Sequence, residues 1–244
     1  MIKLERPAIE PIILIEKAEE CTKNLMHLIK KYGSYSKIPI KQKNSAISLY
    51  KHEEIKNILF PSSFKKCAFC ETFPEDSGNI EVEHFLPKAQ YPEKIFDWKN
   101  LLPSCRKCNG NKGEHDTVKE PIVNPYEMDP KDFFEVDFLK IKAKNEIAKT
   151  TLKACGLNSV RLYRPRSDIC KEFSFFEDEL ETHIEEFKIL KTKIKKKNKL
   201  KKINESIDVI EALRASDSAH SFFCNFLIER SEPFNIAKKI VEEY

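Results

Sequence analysis

Two C-x-x-C pairs, Cys67/Cys70 and Cys105/Cys108, lie 34 residues apart. Four thiolates in two such knuckles form the tetrahedral set that zinc favours in a structural site. With all four positions filled by sulfur, an ion there holds the chain together and has no open position on which to activate water. Binding of this kind contributes on the order of 10 kcal/mol to folding at neutral pH. The intervening stretch exceeds the common 15–20 residues of a zinc ribbon. The spacing therefore predicts a functional insertion whose geometry is fixed by the metal. The other four cysteines, Cys21, Cys155, Cys170 and Cys224, are scattered among Leu, Ile and Phe and read as small buried hydrophobes. Disulfides are not expected, because this usage suits a reducing, cytoplasmic compartment.

Around that insertion the chain reads as helical. Leu14, Ala18, Cys21, Leu25 and Leu28 recur on one stripe from Glu10 to Lys31, ending near Tyr32-Gly33. Asn44 or Ser45 is expected to cap a second helix through Ile47, Tyr50, Ile55 and Leu59, stopped by Pro61. From Cys67 to about Glu120 the helical period disappears. Ile80–Glu83 alternates as a short strand, Trp98–Leu102 is a second, and Ser104–Lys112 can turn into a helix. Phe133–Lys142 alternates as a hairpin. Phe176, Leu180, Ile184, Phe187, Leu190 and Ile194 then form one long helical stripe. The expected organisation is an N-terminal helical region over 1–60, a zinc-bearing core over 61–125, and a C-terminal hairpin and helical region over 126–244.

Charge excludes little. There are 43 Lys+Arg against 39 Asp+Glu, a net +4. The exception is Lys188 to Lys202, with nine lysines and no carboxylate. As the basic end of an acid-first helix it suits the helix dipole as a solvated face. The competing reading is contact with a nucleic-acid backbone through Lys195, Lys196 and Lys197. No apolar run approaches the roughly 20 residues that span a bilayer, so no membrane partner is expected.

Within the insertion, Glu83 and His84 are adjacent, and Asn109 follows Cys108 directly. Phosphodiester hydrolysis needs a hard cation, a base for water, and a frame holding both in line. Glu83 offers a hard oxygen suited to magnesium. His84 titrates near neutrality and can take a proton. Asn109 offers a neutral oxygen as a second ligand. Successive strand residues face opposite sides, so for Glu83 and His84 to share one centre the strand must end or bulge there, as nearby Pro87 also suggests.

These residues resemble the HNH (ββα-metal) endonucleases along C-A-F-C, E-V-E-H-F-L-P-K, W-K-N-L-L and S-C-R-K-C-N-G-N-K. The resemblance implies His84 as general base, Glu83 and Asn109 as ligands of a catalytic Mg2+ or Mn2+, Asn100 as the residue steadying the loop of the base, and Lys112 as a phosphate contact. Two positions depart from the commonest pattern: Glu83 replaces the usual Asp, and Asn109 stands where the family takes its name from a final His. His115 lies close enough to be considered in its place. His27, His52, His183 and His220 have no companion pattern and read as surface or core residues.

The likeness extends further. Leu4–Pro7, Glu71, I-V-N-P at Ile122–Pro125 and T-L-K-A-C-G-L-N at Thr151–Asn158 followed by Arg161 are similar to the PtuB-like nuclease subunits of Septu- and retron-associated antiphage systems. In that subgroup the partner is an ABC/SMC-like, PtuA-like ATPase. The expected fold is thus α+β and mainly helical, with a small zinc-stabilised ββα-metal core between N-terminal helices and a C-terminal hairpin plus helices. The expected activity is metal-dependent cleavage of DNA. The competing reading is a zinc-stabilised module that binds nucleic acid or protein and cuts nothing.

Overall fold

The computed structural model describes residues 1–73 and 79–244. It is mainly helical, with two small two-stranded sheets among the described residues. The chain divides into two compact units, Met1–Phe134 with Ala143–Leu157, and Glu135–Lys142 with Asn158–Tyr244.

In the first unit, α1 (Ile12–Tyr32) carries the predicted stripe and stops where Gly33 takes a left-handed φ of 85°, a conformation glycine adopts without steric cost. The second helix differs from expectation. It is broken into α2 (Ile40–Ala46), a 3-10 turn at Ser48–Lys51, and α3 (Glu53–Leu59). His52 causes the second break: its backbone is extended, and its ring Nδ1 accepts from the Glu54 amide, capping α3. The apolar period runs across both breaks because all three pieces face one core. That core joins Leu14, Leu25, Tyr50, Ile55 and Leu59 to Val82, Ile95, Trp98 and Leu101.

The second half of that core comes from a hairpin of β1 (Ile80–His84) and β2 (Leu101–Cys105), antiparallel with Ile80 opposite Cys105 and His84 opposite Leu101. The expected strand at Trp98 begins three residues late. Asp97 accepts from the Lys99 amide and winds Trp98–Asn100 into a 3-10 turn first. Helix α4 (Arg106–Lys112) follows without a loop, its N-cap being the Cys105 sulfur, which accepts from the Cys108 amide. The hairpin works as a ruler. It sets Cys105 at one end and His84 at the other, about 14 Å apart at 3.4 Å per residue.

The Leu4–Pro7 segment buttresses this arrangement. Arg6 donates to the carbonyls of Trp98, Lys99 and Leu101 at 2.7, 2.9 and 3.0 Å and lies 4.0 Å over the Tyr126 ring. Strands β3 (Phe134–Asp137) and β4 (Lys140–Ala143) pair as the second sheet. Helix α5 (Glu146–Cys155) packs against α4. Its cap Gly156, at φ 63°, lies so near Asn111 that a Cβ would meet the Asn111 amide nitrogen at 2.2 Å.

The second unit is a bundle of α6 (Tyr163–Ile189), α7 (Lys193–Leu213), α8 (Ser221–Arg230) and α9 (Glu232–Glu242). Phe173, Leu180, Ile184 and Phe187 of α6 pack on Ile203, Ile207 and Ile210 of α7 and on Phe234 and Ala237 of α9. The single long stripe is corrected here. The chain turns at Leu190, Thr192 caps a new helix by accepting from the Lys195 amide, and Ile194 is exposed. Lys193 to Lys197 therefore open a helix instead of closing one, so the favourable dipole invoked for a solvated face is reversed there. Of the scattered cysteines, Cys155 and Cys224 are buried and Cys21 and Cys170 half-buried, none in a disulfide among the described residues.

Candidate active site

The four knuckle cysteines are buried, with their sulfurs all within 4.8 Å of one another. Zinc at about 2.3 Å from four tetrahedral sulfurs sets their separation near 3.8 Å, and Cys70 and Cys105 stand 3.7 Å apart. Burial holds the Cys67 thiol well above its ordinary value. Hydrogen bonds from Cys108, Cys67 and Cys70 hold Cys105 well below its own. Four dry sulfurs this close cannot all ionise without a cation among them, so the donor set fits zinc. The knuckle is braced by the Thr72 hydroxyl 3.0 Å from Cys70 Sγ and by the Ala68 amide donating to the Pro103 carbonyl at 2.9 Å.

At the far end of β1 the register is regular through His84. The strand does end there, but no bulge carries Glu83 and His84 to one side, and their side chains alternate. On one face Lys112 of α4 donates to Glu83 Oε1 at 2.8 Å, and Asn109 Nδ2 donates to Glu81 Oε2 at 2.7 Å. Residues 81 and 83 share a strand face, and residues 109 and 112 are neighbours on a helix face, so two carboxylates meet an amide and an ammonium. On the other face the His84 ring is 1% exposed. It bonds the Ile95 carbonyl through Nε2 at 2.9 Å and meets Tyr50 edge-on at 4.6 Å. The two faces remain in electrostatic reach: Lys88 and Lys112 both act on His84, and Glu83 and Glu81 both act on Lys88.

A carbonyl only accepts, so Ile95 obliges Nε2 to carry the proton and leaves Nδ1 with its lone pair. Nδ1 is buried and has no hydrogen-bond partner among the described residues. Burial, aided by the Lys88 charge, pulls the His84 pKa down to about 3, so the ring is neutral at physiological pH. Burial pushes the Glu83 carboxyl up, opposed by the Lys112 charge.

The loop leaving His84 is pinned at three successive carbonyls. Lys112 Nζ donates to His84 O at 2.8 Å, Thr117 Oγ1 to Phe85 O at 3.1 Å, and Asn100 Nδ2 to Leu86 O at 3.2 Å. Asn100 also accepts from the Leu86 amide at 2.6 Å and donates to Lys94 O at 2.9 Å. One buried amide thus ties the loop after His84 to the segment that supplies the Ile95 carbonyl.

Residues 67–115 match the sequence pattern of the family described as HNH endonuclease. The chain carries an HNH domain. Over 114 residues it is 46% identical to the Septu protein PtuB of Bacillus thuringiensis, covering 46% of this chain and 44% of that protein. It is 24% identical to the Septu protein PtuB of Bacillus mycoides over 207 residues, 70% of this chain and 68% of that one. The protein ea31 of Escherichia phage lambda is 41% identical over 71 residues, 28% of this chain and 23% of its own length. The first of these matches thus spans less than half of its relative.

Within the HNH domain the structure brings Glu83, Asn109 and Lys112 together on one face of β1 and sets His84 and Asn100 at its end. Lys112 departs from its expected place. Its ammonium is buried between Glu83 and the His84 carbonyl instead of facing a phosphate. His115 points elsewhere, bonding the Glu120 carbonyl at 2.7 Å. Sequence reasoning passed over Glu81, Thr117, Tyr50 and Lys88. Glu81 had a signal in the alternation E-V-E-H. Tyr50, far away in sequence, had none.

Proposed function

We propose that the HNH domain makes this protein a metal-dependent endonuclease acting on DNA phosphodiester bonds. The observation that carries the reading is His84: a neutral, buried imidazole whose Nδ1 lone pair has no partner among the described residues, at the end of a strand whose other face gathers two carboxylates and an amide. Glu83 and the Asn109 side-chain oxygen would hold Mg2+ or Mn2+, since hard oxygen donors suit these ions. When bound, such an ion polarises a phosphoryl oxygen and stabilises the departing alkoxide. His84 Nδ1 takes a proton from water as the oxygen attacks phosphorus and the P–O bond to the leaving oxygen breaks. Asn100 holds the loop on which the imidazole depends. The four cysteines hold zinc and fix the hairpin without touching substrate.

The likeness to Septu PtuB proteins supports a role in antiphage defence, and the helical segments before and after the HNH domain in the chain offer surface for a partner. We place the protein in the cytoplasm as the effector nuclease of such a complex, controlled by a PtuA-like ATPase. No helix among the described residues is long and apolar enough to cross a membrane. Of the basic residues on α7, Lys195 and Lys197 make no ion pair among the described residues and remain candidates for backbone contact. Lys196 is engaged by Tyr244, donating to its hydroxyl at 2.7 Å. The test is plasmid cleavage in magnesium by the protein and its His84→Ala variant, each with and without the ATPase. Loss of the general base is expected to slow nicking by about two to four orders of magnitude with zinc content unchanged. An undiminished nicking rate would favour the non-cutting binding module.

A further inference from the structure

Beside His84 lie two cations that the catalytic scheme does not use. Lys51 Nζ is 5.6 Å and Lys88 Nζ 5.3 Å from the centroid of the Tyr50 ring, and that ring meets His84 edge-on. Neither ammonium has an ion pair or a hydrogen-bond acceptor among the described residues. Lys112, by contrast, is fully engaged by Glu83 and a carbonyl. Lys88 is half-buried, and burial lowers its pKa, the charges of Lys112 and Lys51 adding to it and those of Glu83 and Glu81 opposing it. Two ammonium groups on one ring repel, and attraction to a tyrosine face is weak where water competes. Both groups sit on firm supports. Tyr50 is packed in the core and precedes Lys51 in a 3-10 turn, while Lys88 follows Pro87 at the exit of the loop clamped by Asn100. A half-buried cation with no direct ion pair among the described residues, set beside a second on a rigid frame, suits an external anion.

We propose that Lys51 and Lys88, bracketing Tyr50 beside His84, bind a backbone phosphate of the nucleic-acid strand next to the one that is cut. The inference rests on the nuclease reading above and adds to it the side from which the strand reaches His84. One phosphate offers enough acceptor oxygens for both lysines, and such contacts set register without reading sequence.

The test is binding of labelled single-stranded DNA, duplex DNA and RNA of equal length by fluorescence anisotropy across a salt series. The zinc-loaded full chain is used with His84→Ala, in calcium, so that nothing is cut. Each phosphate contact contributes about 0.7–0.9 to the slope of log affinity against log salt. The double variant Lys51→Gln/Lys88→Gln is expected to lose about 0.7–0.9 of that slope on its preferred strand, the share of one phosphate, with an unchanged melting temperature. Lys51→Arg/Lys88→Arg should keep it, and so should Lys23→Gln on α1. The three nucleic acids distinguish which strand the site takes. An unchanged slope in the glutamine variant would overturn the proposal, as would an unsubstituted protein with no salt-dependent binding to any of the three. Failure of the nuclease reading is seen separately, as undiminished nicking by His84→Ala.

Discussion

Replacing Lys112 by methionine tests how the HNH face of the hairpin is held. Methionine keeps most of the side-chain length and removes the charge. The Lys112 side chain is 0% exposed and that of Glu83 4%, with their charged atoms 2.8 Å apart. Removing one partner of a buried pair costs about 3–5 kcal/mol, because the remaining charge is left desolvated and uncompensated. In a unit of about 150 residues each kcal/mol moves the midpoint by about 2–4 °C. Lys112→Met should therefore melt about 6–20 °C lower by differential scanning calorimetry. Glu83→Gln in the same chain removes the stranded charge, so the double variant should recover most of the loss, with a coupling energy above about 2 kcal/mol. A ligand that binds only the folded state stabilises it by about 2.7 kcal/mol at a hundredfold excess over Kd. If Glu83 is a cation ligand, Mn2+ should restore Lys112→Met more than it stabilises the unsubstituted protein. A loss below about 1 kcal/mol, or a double variant no better than the single, would refute the reasoning.

Two further outcomes follow from the same geometry. Cys108→Ser should lower bound zinc, measured by atomic emission, and melt the hairpin unit at far lower temperature, since a structural zinc contributes on the order of 10 kcal/mol; full zinc content with an unchanged melt would count against a four-sulfur site. Glu81 accepts from Asn109 Nδ2 and so turns the Asn109 oxygen outward. Glu81→Gln lets the amide reverse, so Mn2+ affinity read by electron paramagnetic resonance should fall about tenfold while the melting temperature holds, and equal affinity would remove Glu81 from that role.

Much of this was legible in the residues because it depends on local chemistry. Two C-x-x-C pairs specify a thiolate cluster whatever lies between them, and the E-V-E-H alternation specifies a strand. Helix boundaries were less legible where one core face is served by several short pieces. The apolar period from Ile47 to Leu59 is the same whether the helix is continuous or broken at His52, and only the extended backbone of His52, capping α3, distinguishes the two. The stripe through Ile194 failed for a related reason: a helical period continues on paper past a corner that Thr192 caps.

Taken alone, the amino-acid order determined which groups this protein can bring to its chemistry: four sulfurs, an imidazole, paired carboxylates and an amide, with a mainly helical frame around them. Folding in three dimensions decided which of these are available. It committed Lys112 to Glu83, turned His84 away from Glu83 toward Tyr50, and left Lys51 and Lys88 without a direct ion pair among the described residues. The reason is physical. Ligand type and period are properties of neighbours along the chain, whereas burial and ion pairing depend on groups that meet only when distant segments pack.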